Sequence, residues 1–581
     1  MRLLLVHPDD SADRGPWAGQ PWDQVLDLGV GGTQTYERWS RKLGCPAAPL
    51  DPIRFEEFGE IRRLLAAGIG PLRDREGLDW WELTAIRLHQ QMEALIVLRR
   101  FVSDLGARDQ VFVTRPGFHA DALRLSLGER LHCFAGGAFR RKHGLLRYPQ
   151  VLSKLSVSQI LEILGDKYDA CYAIRGPLAR RREPSTQPVV LLPSAYVNVS
   201  RAGIAYARVL PETDFLLVTT RRGGWVSAPP ANVTVARLAS YASREPATEA
   251  ECKELQDRWQ ALRRDLQQVH EISMLARLGC LDSFPRLLRQ GLAIRNAWRA
   301  VFGREPVQAV LCGDDSNPYT HIPLLLGRNR GLPTLSCHHG AFDGRYLFKR
   351  NHADVILAKG RMEEDYLVRI CGLPRTCVEV GAPAAPESAD KGRVNGAKHR
   401  PFIVLFSEAC EVSSGRAEEF YRDLLPPLAD LARRTQRRLI VKLHPFESHR
   451  ERQKLIKRVL TREQHAIATV VSGPLTDELL RKTWFGMTIL STVAMECAQR
   501  GIPCFLAEWL EYWPYGYIEQ FRRFGVGYGL QSPAEISQIP NIMQSCEFEP
   551  ELARALCQPI SADRFQELIS GSSKLEKAVA V

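Results

Sequence analysis

The fold turns on residues Arg438-Leu439-Ile440-Val441-Lys442-Leu443-His444-Pro445. Leu439 to Leu443 is a short, mostly apolar run broken by one lysine, the pattern of a parallel strand buried on both faces. The run delivers a lysine, a histidine and a proline to its C-terminal end. Pro445 lacks the N–H that a ladder needs and biases His444 toward extended backbone, so the strand stops with the imidazole at its rim. In an open α/β sheet that rim is where ligands bind. Lys442 and His444 together there make an anion site, phosphate being the obvious anion. The plain alternative is a strand end with a solvated lysine and a locally satisfied histidine.

Outward from this run, apolar strands alternate with helices. Downstream of a Pro/Ala/Gly/Lys-rich linker at 383–400, strands are expected at Phe402–Phe406, Leu439–Leu443, Ala468–Val471, Gly486–Leu490 and Cys504–Leu506. Upstream of it they are expected at Val189–Leu192, Phe215–Thr219, Ala309–Cys312, Thr334–Cys337 and Val355–Ala358, with a long helical insert over Ala247–Ala300. A basic, Pro-containing linker at 180–187 precedes this set. Before it, strands at Leu3–Val6 and Gln110–Thr114 flank helical patterns at Phe55–Ala67 and Trp81–Leu105, with Trp80, Trp81, Leu83, Ile86 and Leu88 as a buried face. Such alternation implies parallel sheets with helices on both faces. The fold class is therefore α/β, with two Rossmann-like doubly wound domains and an additional N-terminal α/β region. The expected boundaries are 1–183 for the N-terminal region, 184–390 for the first Rossmann-like domain and 391–581 for the second. A C-terminal helical tail from about Pro533 could pack back on the earlier domain.

At 581 residues the chain exceeds one ordinary core, and 45% hydrophobic with 25% charged residues reads as globular and soluble. The net charge of +12 is spread rather than blocked. It suits anionic ligands or an anionic lipid surface, and no nucleic-acid signature accompanies it. No run of about 18 apolar residues occurs, and the N-terminus does not read as a signal peptide. Fourteen scattered cysteines without a Cys-x-x-Cys pair indicate a reducing compartment, and neither disulfides nor a cysteine-rich zinc site. The expected location is cytoplasmic, with peripheral contact at the inner membrane surface. No metal or cofactor is expected.

Several strand ends carry chemistry. One stretch runs Cys312-Gly313-Asp314-Asp315-Ser316-Asn317 and another Cys337-His338-His339-Gly340. Asp314 or Asp315 is a candidate general base, as is His338 or His339. Gly340 would let the backbone pass close to a ligand, and Lys359 offers a further cation. Each also has an ordinary reading as a loop cap, core histidine or helix start. In the last third, Leu490-Ser491-Thr492-Val493-Ala494-Met495-Glu496 ends a strand and opens a helix. Hydroxyls and free amides at a helix start hold phosphate, and Glu496 lies one turn beyond Thr492 on the same face, where it can meet ribose hydroxyls. Ala494 and Met495 stand where a capping box would need Glu or Gln. Nearer the N-terminus, Asp9, Asp10 and Asp13 crowd one loop without a calcium-loop spacing. Gly29-Val30-Gly31-Gly32-Thr33 resembles a loop entering a helix, and Arg115-Pro116-Gly117-Phe118-His119 follows a strand.

Lys-x-His-Pro on a strand, Ser-Thr followed by Glu about fifty residues later, and His-Gly about a hundred residues upstream together resemble a group of GT-B-fold transferases. That group contains the CDP-glycerol glycerophosphotransferases and the bacterial capsule sialyl- and Kdo-transferases, and the resemblance spans about residues 305–530. It implies a donor nucleotide held mainly by the C-terminal domain, with His444 on donor phosphate, Ser491 and Thr492 cradling it and Glu496 facing the ribose. His339 would be the acceptor-side base or a second phosphate ligand. The sequence departs from the group in two places. His338 stands where the glycerophosphotransferases carry Trp, and the sialyltransferases' acidic motif has only Asp314-Asp315 in a comparable place. The expected activity is transfer of a sugar or polyol phosphate from a CMP-, CDP- or UDP-linked donor to a glycan or lipid-linked acceptor of a surface polysaccharide. The alternatives are a non-hydrolysing sugar-nucleotide epimerase and a non-catalytic scaffold of the same fold.

Overall fold

The computed structural model describes residues 1–7, 10, 12, 15–29, 33–134, 183–242, 246–315, 318–338, 345–383, 400–408, 417–444, 447–473, 475–489, 491–510, 517–545 and 555–571. These residues form three sheets, and their strands pair in parallel throughout. The first sheet contains β1 (Arg2–Val6), β2 (Gln24–Asp27), β3 (Ala47–Pro49), β4 (Gln110–Val113) and β5 (Leu131–Cys133), in the order β3-β2-β1-β4-β5. The second contains β6 (Val189–Ser194), β7 (Asp214–Thr219), β8 (Val233–Arg237), β9 (Val307–Cys312), β10 (Thr334–Cys337), β11 (Val355–Ala358) and β12 (Val378–Val380), ordered β12-β11-β10-β9-β6-β7-β8. The third contains β13 (Phe402–Phe406), β14 (Arg438–Lys442), β15 (Ala468–Val471), β16 (Thr483–Thr488), β17 (Cys504–Ala507) and β18 (Tyr528–Leu530), ordered β15-β14-β13-β16-β17-β18.

In each sheet the first strand lies beside the fourth, so the winding reverses there. This is the strand order of a Rossmann-like sheet, and its switch point is the usual ligand crevice. The chain is α/β with two Rossmann-like doubly wound domains, and its N-terminal region adds a third sheet of the same winding. The central strands are buried along nearly their whole length, as β6 and β14 show. That explains their apolar sequences. Five of the six strands that the sequence pattern does not announce, β3, β5, β8, β12 and β18, lie at sheet edges. Edge strands bury less and carry a weaker apolar signal. The sixth, β2, has only Val25 and Leu26 as apolar residues. The expected helical insert resolves into helices Pro246–Leu266, His270–Arg277 and Phe284–Arg304.

The chain divides into two compact units whose limits depart from the expected boundaries. One unit comprises Met1–Phe55, Ala94–Phe139 and Pro386–Leu556, and the other Glu56–Glu93, Arg140–Ala385 and Cys557–Val581. Side-chain packing explains why Glu56–Glu93 leaves the N-terminal region. Trp80 and Trp81 are fully buried, with Trp81 stacked on Trp259 at 6.0 Å. Gly291 leaves room for the Trp80 ring, since a Cβ there would come within 2.1 Å of it. The buried Arg295 guanidinium meets both Asp74 and Glu251 at 2.8 Å. In the same way the tail leaves the last third. Helix Ala562–Ser570 inserts Phe565, Leu568 and Ile569 among core residues of β6, β7, β9 and β10.

Phe565→Ala should destabilise this second unit by ~3–5 kcal/mol, the usual cost of emptying a buried aromatic site. Chemical denaturation followed by tryptophan fluorescence measures the loss. A change below about 1 kcal/mol would mean that the tail does not contribute to this core.

Candidate functional site

In the third sheet, β14, β13 and β16 are neighbours, so their C-terminal ends stand side by side across ~10 Å. Lys442 ends β14 with its ammonium buried and donating to the Leu443 carbonyl at 2.7 Å. Burial lowers its pKa and Glu447 acts in the opposite direction. His444 follows, its imidazole pKa lowered first by burial and then by the Lys442 charge, so the ring is neutral at pH 7. The histidine therefore brings a neutral hydrogen-bonding ring to the strand end, and Lys442 brings the charge.

Glu447 organises this end. Its buried carboxylate accepts from the His444 main-chain N–H at 2.7 Å, Ser407 Oγ at 2.9 Å, Tyr421 Oη at 3.3 Å and Arg452 Nε at 2.7 Å. Ser407 lies just past β13 and Arg452 on helix His449–Val459, so one carboxylate ties together three segments. The next residue, Glu408, accepts from Thr488 Oγ1 on β16 at 3.0 Å. Nothing local marks Glu447 within the run His444-Pro445-Phe446-Glu447. Its partners are recognisable only once β13, β14 and the following helix converge.

Ser491 and Thr492 lead into helix Val493–Gln499. Ser491 Oγ accepts from the Val493 N–H at 3.4 Å, while Thr492 occupies the N-cap position without using its hydroxyl to cap the helix. Glu496 is in the first turn and half-exposed, 3.9 Å from Arg500. Thus Lys442 ends a strand, and His444, Ser491, Thr492 and Glu496 follow the ends of strands, in one sheet.

In the second sheet, the loops after β6 and β9 meet at the switch point. Tyr196, two residues past β6, donates its hydroxyl to Asp314 Oδ2, and Thr320 donates to the Asp314 carbonyl. Asp315 turns to other partners, Lys349 Nζ at 2.6 Å and Tyr346 Oη at 3.1 Å. Burial raises the Asp315 pKa, yet Lys349 and His321 outweigh it and the net shift is downward. The adjacent aspartates therefore have separate roles. Asp314 belongs to the switch point, whereas Asp315 is the anion of a buried ion pair. His338 is buried just past β10, and His339, Gly340 and Pro445 lie outside the described residues. Lys359 Nζ is 3.5 Å from Glu363, whose Oε2 accepts the Lys359 N–H at 2.7 Å.

The first sheet places His7 and Asp10 after β1, and Thr114, Arg115 and His119 after β4. Asp10 pairs with Arg115 and accepts from Thr114 and from the His7 N–H. Asp10 is thus engaged within these loops, and Asp9 and Asp13 lie outside the described residues. Strand β2 precedes the Gly29–Thr33 stretch and helix Thr33–Leu43 follows it, while residues 30–32 are not described.

The model of a family described as "Putative glycosyltransferase (DUF6716)" matches residues 331–508. No curated protein matches the sequence. Among solved structures, the chain is similar to a co-structure of MnaA with UDP from S. aureus, at 11% identity and a TM-score of 0.38, covering 67% of this chain and 98% of that one. It is similar to MurG from Acinetobacter baumannii at 12% identity and a TM-score of 0.35, covering 66% and 100%. A variant of the wall teichoic acid polymerase TagF aligns at 10% identity and a TM-score of 0.39, covering 74% and 100%.

Removing the Glu447 carboxylate leaves a buried guanidinium without its anion, so Glu447→Ala should cost ~3–5 kcal/mol in denaturant unfolding. Asp423, on helix Ala417–Arg434, supplies a pH test. Burial raises its pKa from 3.8 to about 6, with the Trp509 indole opposing and Glu419 reinforcing the shift. The folded state then keeps a proton that the unfolded state has lost. Stability from this group should fall as pH rises from 3.8 through about 6. Melting temperatures across that window should decline less in Asp423→Asn than in the wild type.

Proposed function

We propose that the protein is a glycosyltransferase-like enzyme moving a sugar or polyol phosphate from a nucleotide-activated donor to a cell-surface polysaccharide acceptor. The observation that carries this reading is the third sheet's switch-side rim. There a buried lysine and a neutral histidine stand at the end of β14, and a pair of hydroxyl residues opens a helix after β16, on the other side of β13. The family match over residues 331–508 includes all of these residues together with His339 and Gly340. In this reading Lys442, His444, Ser491 and Thr492 hold the donor phosphates and Glu496 accepts from the ribose hydroxyls.

The transfer is a displacement. The acceptor hydroxyl oxygen bonds to the donor's reacting centre as the bond to the nucleotide phosphate breaks, and its proton passes to a base, Asp314 or His339. The electron pair leaves on the phosphate, where the Lys442 charge and the amides opening helix Val493–Gln499 stabilise it. The Tyr196 hydroxyl holds Asp314 in place for this role. No helix among the described residues is long and apolar enough to cross a membrane. In this proposal a cytoplasmic protein of net charge +12 meets its lipid-linked acceptor at an anionic membrane surface.

Calorimetry with CMP, CDP, UDP and GDP on the wild type, His444→Ala and Glu496→Ala tests the donor site. One nucleotide should bind, and each variant should lose at least about tenfold in affinity, or ~1.4 kcal/mol. If no nucleotide binds the wild type at millimolar concentration, the transferase reading fails. Epimer formation from a UDP-sugar without acceptor would replace it with epimerase chemistry.

A further inference from the structure

The rim of the second sheet brings two guanidiniums to one place. In the strand order β9-β6-β7, Tyr319 opens helix Pro318–Asn329 after β9, Tyr196 follows β6 and Arg221 follows β7. These three strand ends span ~10 Å. The Arg221 guanidinium lies over the Tyr319 ring, 4.9 Å from its centre. Arg87 reaches the same spot from the short helix Ile86–Leu88, and the groups that act on its charge are the Tyr319 hydroxyl and Arg221. Crowding of its guanidinium by protein lowers the Arg87 pKa first, Tyr319 opposes the shift and Arg221 adds to it. The residue still reaches solvent, so a ligand can meet it.

Other cations of this unit are answered by carboxylates, Lys349 by Asp315, Lys359 by Glu363 and Arg295 by Asp74 and Glu251. Arg87 forms no hydrogen bond or ion pair with the described residues. Like charges at one place repel, and an oxyanion between them removes the repulsion. The surroundings favour an anion too. Helix Pro318–Asn329 adds the positive end of its dipole and has no acidic residue in its first turn. The acidic residues between β6 and β8, Glu212 and Asp214, sit at the start of β7, the opposite end of the sheet. A carboxylate has two oxygens and is filled by one guanidinium fork. A phosphate offers three and carries more charge, so it matches two forks. Asp314, held by the Tyr196 hydroxyl, stands on the same stretch of rim.

We propose that Arg87 and Arg221 bind a phosphate group carried by the acceptor and so set its reacting hydroxyl beside Asp314. Phosphate binding here stands on the geometry of the second unit, while assigning the phosphate to the acceptor rests on the transferase reading. The acceptor class narrows accordingly to a phosphate-bearing one.

The test is calorimetry of the full chain with glycerol 3-phosphate at low ionic strength, with glycerol as the uncharged control. Glycerol 3-phosphate should bind saturably and glycerol should not. Arg87→Gln and Arg221→Gln should each weaken binding about tenfold, the worth of a charge-assisted hydrogen bond. Arg237→Gln removes the same charge from the nearby end of β8, where Arg237 is exposed over Trp225, and should leave binding unchanged. Vesicles of phosphatidylglycerol, compared with phosphatidylcholine, distinguish the sources. Capture that needs both arginines supports a membrane-lipid phosphate, and binding confined to glycerol 3-phosphate supports a soluble one. Unchanged affinity in Arg87→Gln leaves two solvated arginines and overturns the proposal. Equal weakening in Arg237→Gln shows a diffuse positive field and overturns it as well. If no nucleotide binds while glycerol 3-phosphate still needs both arginines, the transferase reading fails and the phosphate site stands.

Discussion

A parallel sheet cannot be closed by hairpins. Each strand must be followed by a crossover that returns the chain to the same starting edge, so the loops leaving the C-terminal ends gather along one rim. All three sheets obey this constraint, and each reverses its winding between its first and fourth strands. The polar side chains that matter stand at those reversals. They are His7, Asp10 and Arg115 in the first sheet, Tyr196 and Asp314 in the second, and Ser407, Glu408 and Thr488 in the third. Lys442, His444 and Ser491 lie at the ends of β14 and β16, on either side of β13, along that third rim.

The second unifying feature is the buried carboxylate answered by a cation. Asp315 has Lys349, Glu447 has Arg452, and Asp74 with Glu251 shares Arg295. Such pairs add little net stability compared with well-packed apolar residues, but breaking one strands a charge in a low-dielectric interior. They therefore fix geometry. Glu447 joins β13, β14 and the next helix, and Asp315 holds the chain after β9 through Lys349 and Tyr346. Arg295 fastens the Glu56–Glu93 segment to the second unit. A shared fold permits many chemistries, and these side chains distinguish the three rims.

The central strands were legible because two-sided burial demands unbroken apolar runs, as in Val189–Leu192 and Leu439–Val441. Edge strands such as Val378–Val380 and Tyr528–Leu530 were not, because one free edge and partial exposure relax that demand. At the third rim, Lys442, His444, Ser491, Thr492 and Glu496 could be proposed from their places after strands. Glu447 could not, because its significance depends on Ser407 and Arg452, which only folding brings to it. Asp314 and Asp315 looked interchangeable in sequence. Packing separates them, one toward Tyr196 and the other toward Lys349.

The α/β class, the parallel winding of the central strands and the positions at which polar residues follow them are all written in the local pattern of the chain. These are local consequences of apolar periodicity, proline and the short turns after strands. Tertiary structure alone decided the membership of the compact units, with Trp80, Trp81 and Phe565 carried into a core far from their sequence neighbours. It also decided the charge states of His444 and Asp315. Burial and the nearest charge set a pKa, and both depend on residues that are distant in the chain and adjacent in space.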